Sequence, residues 1–198
     1  MEGRSMNPIM FFFKVSKWYD CAVVLLNRFT EPWLIPSLAR LVFAGVLFSY
    51  YWNSATTKIG DGPAGLFNLS VGAYVQMFPQ VMEKIGYDIS QLGFHFKIIA
   101  LFGTWAEFVV PVLIVFGLFT RLAACGMIGF ILVQSLVDIV GHQASAKTIG
   151  AWFDRFSDAV ILDQRSFWIL LLIILIIRGA GPVSLDAWFR FILKPERS

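Results

Sequence analysis

HFKIIALFGTWAEFVVPVLIVFGLFTRLAACGMIGFILVQSLVDIVG, His95–Gly141, decides how this chain is read. It is far longer than the ~20 mostly apolar residues that cross a bilayer. After Lys97 its one basic residue is Arg121. Thr120–Arg121 therefore splits the stretch into two spans joined by a tight hairpin, at about residues 95–119 and 122–141. Arg121 sits where an interface would be.

Working outward, two further apolar runs complete the pattern. One covers about residues 34–54. The other, around "FWILLLIILII", covers about residues 166–180 and is short enough to need less tilt or a locally thinned bilayer. The expected fold class is an all-α integral membrane protein, a four-transmembrane-helix bundle. Interfacial amphipathic helices are expected at both termini and in the outer loops. Residues 1–33 form an N-terminal interfacial segment, 34–183 the membrane domain and 184–198 a C-terminal amphipathic helix.

The composition agrees. The 198 residues are 58% hydrophobic and 15% charged, with a mean hydropathy of +0.71. Soluble domains are about 45–50% apolar and about 25% charged. The two cysteines, Cys21 and Cys125, form no CxxC and imply no disulfide framework. The pI near 9.0 does not mark a nucleic-acid partner, because the basic residues are dispersed around apolar segments. The lipid bilayer is the expected partner.

Those basic residues orient the chain. Ten of the 16 Lys and Arg fall on the side of the termini and the Thr120–Arg121 turn, and six on the other. The positive-inside rule then places both termini in the cytoplasm. The loops at about 55–94 and 142–165 face outward. Both carry apolar and aromatic residues suited to interfacial helices or a lid, the first broken by Pro79. The N-terminal "MEGRSMNPIMFFFKVSKWYDCAVVLLNRF" has charges within its apolar run and no small-residue cleavage site. It reads as a helix lying on the membrane rather than a signal peptide, with a spanning or cleaved helix as the alternative.

Charged side chains inside hydrocarbon need a partner or a purpose. Glu107 lies near mid-bilayer, about 18 Å from the outer end of its span at 1.5 Å per residue. Arg40, about 9 Å into the first span from the other side, is its candidate partner because arginine snorkels. Such a pair either lines a polar pocket or proton path or fixes helix packing. At the outer surface His95, Asp138 and His142 form a second candidate site. Asp138 and His142 share a helix face, so the carboxylate either orients the imidazole or joins it in binding copper, zinc or haem iron, or the group simply hydrogen-bonds at the interface. Cys125 reads as a packing residue. Small residues, such as Gly103 and Ala106 or Ala123, Gly126 and Gly129, suit close helix packing. No nucleotide-binding loop, GxSxG or metalloprotease helix is present, so no stand-alone catalytic motif is seen.

The fourth span ends on "RGAGPVSLDAWFR", Arg178–Arg190. Arg178 meets the headgroups, Gly179 and Gly181 tolerate a left-handed turn, and Pro182 stops the helix. Ser184 caps a new amphipathic helix beginning at Leu185, with Asp186 favourable in its first turn. The motif serves as a stop and surface anchor, or as a dock for a cytoplasmic partner.

Taken together, Arg40, Gly45, Phe48, Lys58, Glu107, "GLFTR" at Gly117–Arg121, Ala123, the polar end around Asp138 and His142, and "GAGPVSLD" at Gly179–Asp186 resemble the DoxX family of small bacterial membrane proteins. The resemblance covers about Arg40–Trp188. It implies a four-helix bundle in the bacterial inner membrane but no single reaction. The family takes its name from a subunit of a thiosulfate:quinone oxidoreductase. Other members are associated with superoxide-dismutase complexes or with machinery that modifies metal-binding peptides. Related quinone-reducing, thiol-oxidising proteins depend on cysteine pairs, which this chain lacks. Three readings follow. The first is an accessory or quinone-proximal subunit of a membrane redox complex, at most an oxidoreductase subunit, with quinone as its possible cofactor. The second is a non-enzymatic scaffold for partner proteins. The third is a metal-handling protein using His95, Asp138 and His142.

Overall fold

Four helices in a computed structural model, which describes residues 8–193, are long and apolar enough to cross a membrane: Leu34–Thr56, Phe94–Phe116, Thr120–Gly141 and Val160–Arg178. The all-helical membrane fold expected from the apolar runs is the one observed. Among the described residues the sole β pairing is one antiparallel bridge, Ile59 with Leu69. The spans form a ring in which each packs on its two neighbours, first on second, second on third, third on fourth and fourth on first. One end carries both terminal helices and the Gly117–Phe119 hairpin, and is here the terminal face. The other carries the two long connections and is the loop face.

The first span shows how sequence becomes packing. Ala39, Phe43, Leu47, Tyr51 and Ala55 recur every fourth residue and are all buried. A straight α-helix has 3.6 residues per turn, so a strict four-residue spacing drifts off one face. The helix widens into a π turn at Ala44–Phe48, which takes up that drift and keeps the stripe inward. It meets Ile114 of the second span, Ala124, Met127 and Ile131 of the third, and Leu172 and Leu175 of the fourth. Outward residues such as Leu41, Val46, Leu122 and Phe167 are more than half exposed, as lipid-facing positions are.

Wide turns close the third span, at the expected residue 141, and open the fourth, earlier than expected. The third span closes with a π turn at Val137–Gly141. The fourth opens with one at Val160–Gln164, so it begins six residues before the expected position 166 and ends at Arg178 rather than 180. The polar Asp163 and Gln164 hid this start in the sequence, because a hydropathy run stops at them. The second span starts at Phe94 and stops at Phe116, and Thr120 rather than Leu122 opens the third.

The first long connection is folded. Helices Val71–Met77 and Pro79–Lys84 place Ala73, Tyr74 and Met82 with Leu69 and Leu92 against Ala100 of the second span. Pro79 is the first residue of its helix, where its missing N–H costs nothing. The second connection has a short helix, Ala146–Ile149, then an irregular stretch exposing Trp152, Phe153 and Phe156. The N-terminal helix Pro8–Thr30 is not among the four span candidates. It exposes Trp18, Tyr19 and Leu25, and the chain just after it is tied to the bundle by Glu31, which accepts from Arg178 at 2.9 Å. Arg4, Lys194 and Arg197, part of the charge asymmetry, lie outside the described residues.

Candidate functional site

The terminal face is organised by two charged residues from opposite ends of the chain. The last carbonyls of an α-helix lack internal N–H partners. Arg40 donates to two carbonyls at the end of the second span, from Nε to Ile114 at 3.1 Å and from Nη2 to Val115. Its Nη1 donates to Ala180, at 3.1 Å, and to Val183. One guanidinium thus ties the first span to the end of the second and to the "GAGPV" turn. A cation at a helix C-terminus also meets the negative end of the dipole.

Asp186 does the opposite job at the start of the third span. Its carboxylate accepts from the N–H groups of Phe119, at 2.8 Å, and Thr120, at 3.0 Å, and from the Thr120 hydroxyl at 2.9 Å. Its own N–H donates to the Gly117 carbonyl at 2.9 Å. Partial burial opposes ionisation of Asp186, but the donors from Thr120 and Phe119 outweigh it and hold the carboxyl below its ordinary range. Gly117 has φ +69°, and a Cβ there would stand 2.6 Å from the Ser184 Cβ and 2.9 Å from the Arg40 Cζ. A glycine is required on both counts. Ser184 caps the C-terminal helix Leu185–Ile192 by accepting from Ala187 N–H at 3.1 Å.

The buried charge inside the bundle pairs differently from the sequence expectation. Glu107 does not meet Arg40. Each of its carboxylate oxygens accepts from Lys58 Nζ, at 2.9 and 2.7 Å. The two side chains are only 3% and 6% exposed. Lys58 follows the end of the first span and folds back, donating also to the Ser54 hydroxyl and carbonyl. Arg40 is drawn instead to carbonyls at the terminal face. Depth along the helix suggested the wrong partner because it ignores the reach of a lysine returning from outside the span.

The expected group of His95, Asp138 and His142 is dispersed. Asp138, on the π turn of the third span, pairs with Arg165 at the next residue after the π turn of the fourth. Arg165 is buried and also donates to the Ser135 hydroxyl at 2.8 Å. His142 Nε2 is 2.9 Å from the Gln76 carbonyl, which ties the third span to the folded connection. His95 packs at a tilt against the ring of its neighbour Phe96. Among the described residues no three His, Cys, Asp or Glu side chains gather as a metal site. Cys21 and Cys125 are free thiols.

Between the two ion pairs stands Tyr51, whose hydroxyl donates to Gln134 at 3.3 Å. Tyr51 packs edge-on to Tyr50, Phe130 and Trp168. Sequence reasoning missed Lys58 and Arg165 as partners. The available signal was that each is the basic residue flanking a span at the loop end nearest an intramembrane acid.

A model of the DoxX family matches residues 35–137, just over half of the chain. The matched segment contains Arg40, Lys58, Glu107 and the Gly117–Arg121 hairpin, while Gly179–Asp186 lies beyond it. Comparison with curated proteins and with solved structures gave no match. Four apolar spans, the Lys58–Glu107 pair between the first two of them and the family match converge: this chain belongs to the DoxX family of multi-pass membrane proteins.

Proposed function

We propose that this protein is an accessory subunit of a membrane redox complex, holding a partner in the bilayer rather than carrying the reaction itself. The observation behind this reading is that the intramembrane acids are already committed. Glu107 gives both carboxylate oxygens to Lys58, and Asp138 is held by Arg165. A buried carboxylate satisfied in this way locks two helices together, and breaking it is strongly unfavourable. Such a group suits a rigid platform. The redox association rests on the resemblance to a family named for a quinone-linked oxidoreductase subunit. The proposed setting is the bacterial inner membrane, with both termini cytoplasmic and the loop face outward, following the distribution of basic residues.

Mass spectrometry of the gently purified protein tests the proposal. The expected result is a stoichiometric protein partner that itself carries a redox cofactor. Stoichiometric quinone or metal on this chain alone would overturn the accessory role, and a partner devoid of redox groups would leave a plain scaffold in its place.

A further inference from the structure

The terminal face holds a groove of about 1010 Å³ that the ion pairs and helix caps do not fill. Its walls come from the hairpin between the second and third spans, the end of the fourth span and the C-terminal amphipathic helix. The groove lies where the third span begins and the fourth ends, which is headgroup depth. Its rim carries three guanidiniums, Arg121, Arg178 and Arg190, against one carboxylate, Asp186. Asp186 is turned toward Phe119 and Thr120, whose donors it accepts.

The arginines differ in what they have left to offer. Arg178 is paired with Glu31. Arg121 spends one Nη2 donor on the Ile177 carbonyl, at 3.3 Å, and Arg190 spends its Nε on the Asp186 carbonyl, at 3.0 Å. A guanidinium carries five N–H donors, so both keep forks able to take phosphate oxygens. Below them the wall is apolar and open, with Phe119 64% and Leu122 75% exposed. Phe189 faces the same space from the C-terminal helix.

We propose that this groove is a binding site for one anionic phospholipid. Arg121 and Arg190 take the phosphate, and the acyl chains run along Phe119, Leu122 and Phe189. The two halves of the site match the two halves of that ligand. A soluble phosphate would leave the apolar wall bare. A neutral zwitterionic lipid would bring its own cation toward the three guanidiniums. Basic pockets between spans are the known physical solution for anionic headgroups. The lipid would bridge hairpin, fourth span and C-terminal helix, independently of any redox role.

The test is native mass spectrometry of the full chain in detergent. It would be titrated with phosphatidylglycerol, with phosphatidylcholine of the same chains, and with glycerol 3-phosphate. Phosphatidylglycerol is expected to bind at least about tenfold more tightly than the other two, and R190Q and R121Q each to weaken it about fivefold, as expected for one basic residue near a lipid surface. R155Q, on the opposite face, should bind as the parent does. If R121Q fails to fold, R190Q on the exposed face of the terminal helix carries the test alone. Equal binding of the two lipids, equal binding of glycerol 3-phosphate, or undiminished phosphatidylglycerol binding by R190Q would each overturn the proposal.

Discussion

Lys58 and Glu107, 49 residues apart, meet with Nζ 2.9 and 2.7 Å from the two carboxylate oxygens. The pair ties the residue just beyond the loop-face end of the first span to the middle of the second. Arg40 and Asp186 do corresponding work at the terminal face without touching buried acid or base. They cap backbone ends.

The ion pair makes a first prediction. Lys58→Met leaves a buried carboxylate without its cation and should cost about 3–5 kcal/mol. Glu107→Leu alone should cost a similar amount. The double variant should recover most of the loss, since an apolar pair of similar volume is often neutral. Unfolding of the detergent-solubilised proteins checks this, and additive losses would show that the pair is not a unit.

Gly117→Ala should destabilise the terminal face by more than the ~1–2 kcal/mol of a left-handed alanine. The new Cβ has to displace Ser184 or the Arg40 guanidinium as well. Gly126→Ala, where a Cβ meets nothing within 4 Å, is the matched control and should be neutral or slightly stabilising. Thermal denaturation of the two variants separates them.

Asp186 makes stability depend on acid pH. Its folded carboxyl is held below the ordinary range, so its contribution is complete above the unfolded value of about 3.9. That contribution is lost as pH falls through the lower folded value, because the unfolded state then binds more protons. Asp186→Asn should remove the acid-side slope. It should also cost about 0.5–2 kcal/mol at neutral pH, the range for a lost helix cap. Stability measured from pH 7 downward in parent and variant tests both effects.

Orientation is tested with cysteine labelling after Cys21 and Cys125 are replaced by serine. With the loop face outward, a cysteine at Phe153, which is fully exposed, should react with an impermeant maleimide in spheroplasts. A cysteine at Arg190 should react only after the membrane is opened. The reverse pattern would invert the topology.

The four spans were legible along the chain because lipid imposes its demand locally: a backbone without water must be helical, and about 20 apolar residues must cover it. Residues 95–141 meet that demand twice, and Arg121 marks where one span ends and another begins. The stop at Gly179–Pro182 and the cap at Ser184 were equally local, and both are present in the fold. Pairing was another matter. Glu107 announces a need for a partner but not its address, since that depends on which helix lies beside it and how each is rotated. Wide turns in three spans altered those rotations, and Lys58 entered from beyond a helix end. Asp186 reads in the sequence as a first-turn acid of its own helix, yet it caps the third span 66 residues away. Helix existence follows from neighbours in the chain, whereas ion pairs and interhelical caps follow from neighbours in space, and only the packed ring of spans supplies those.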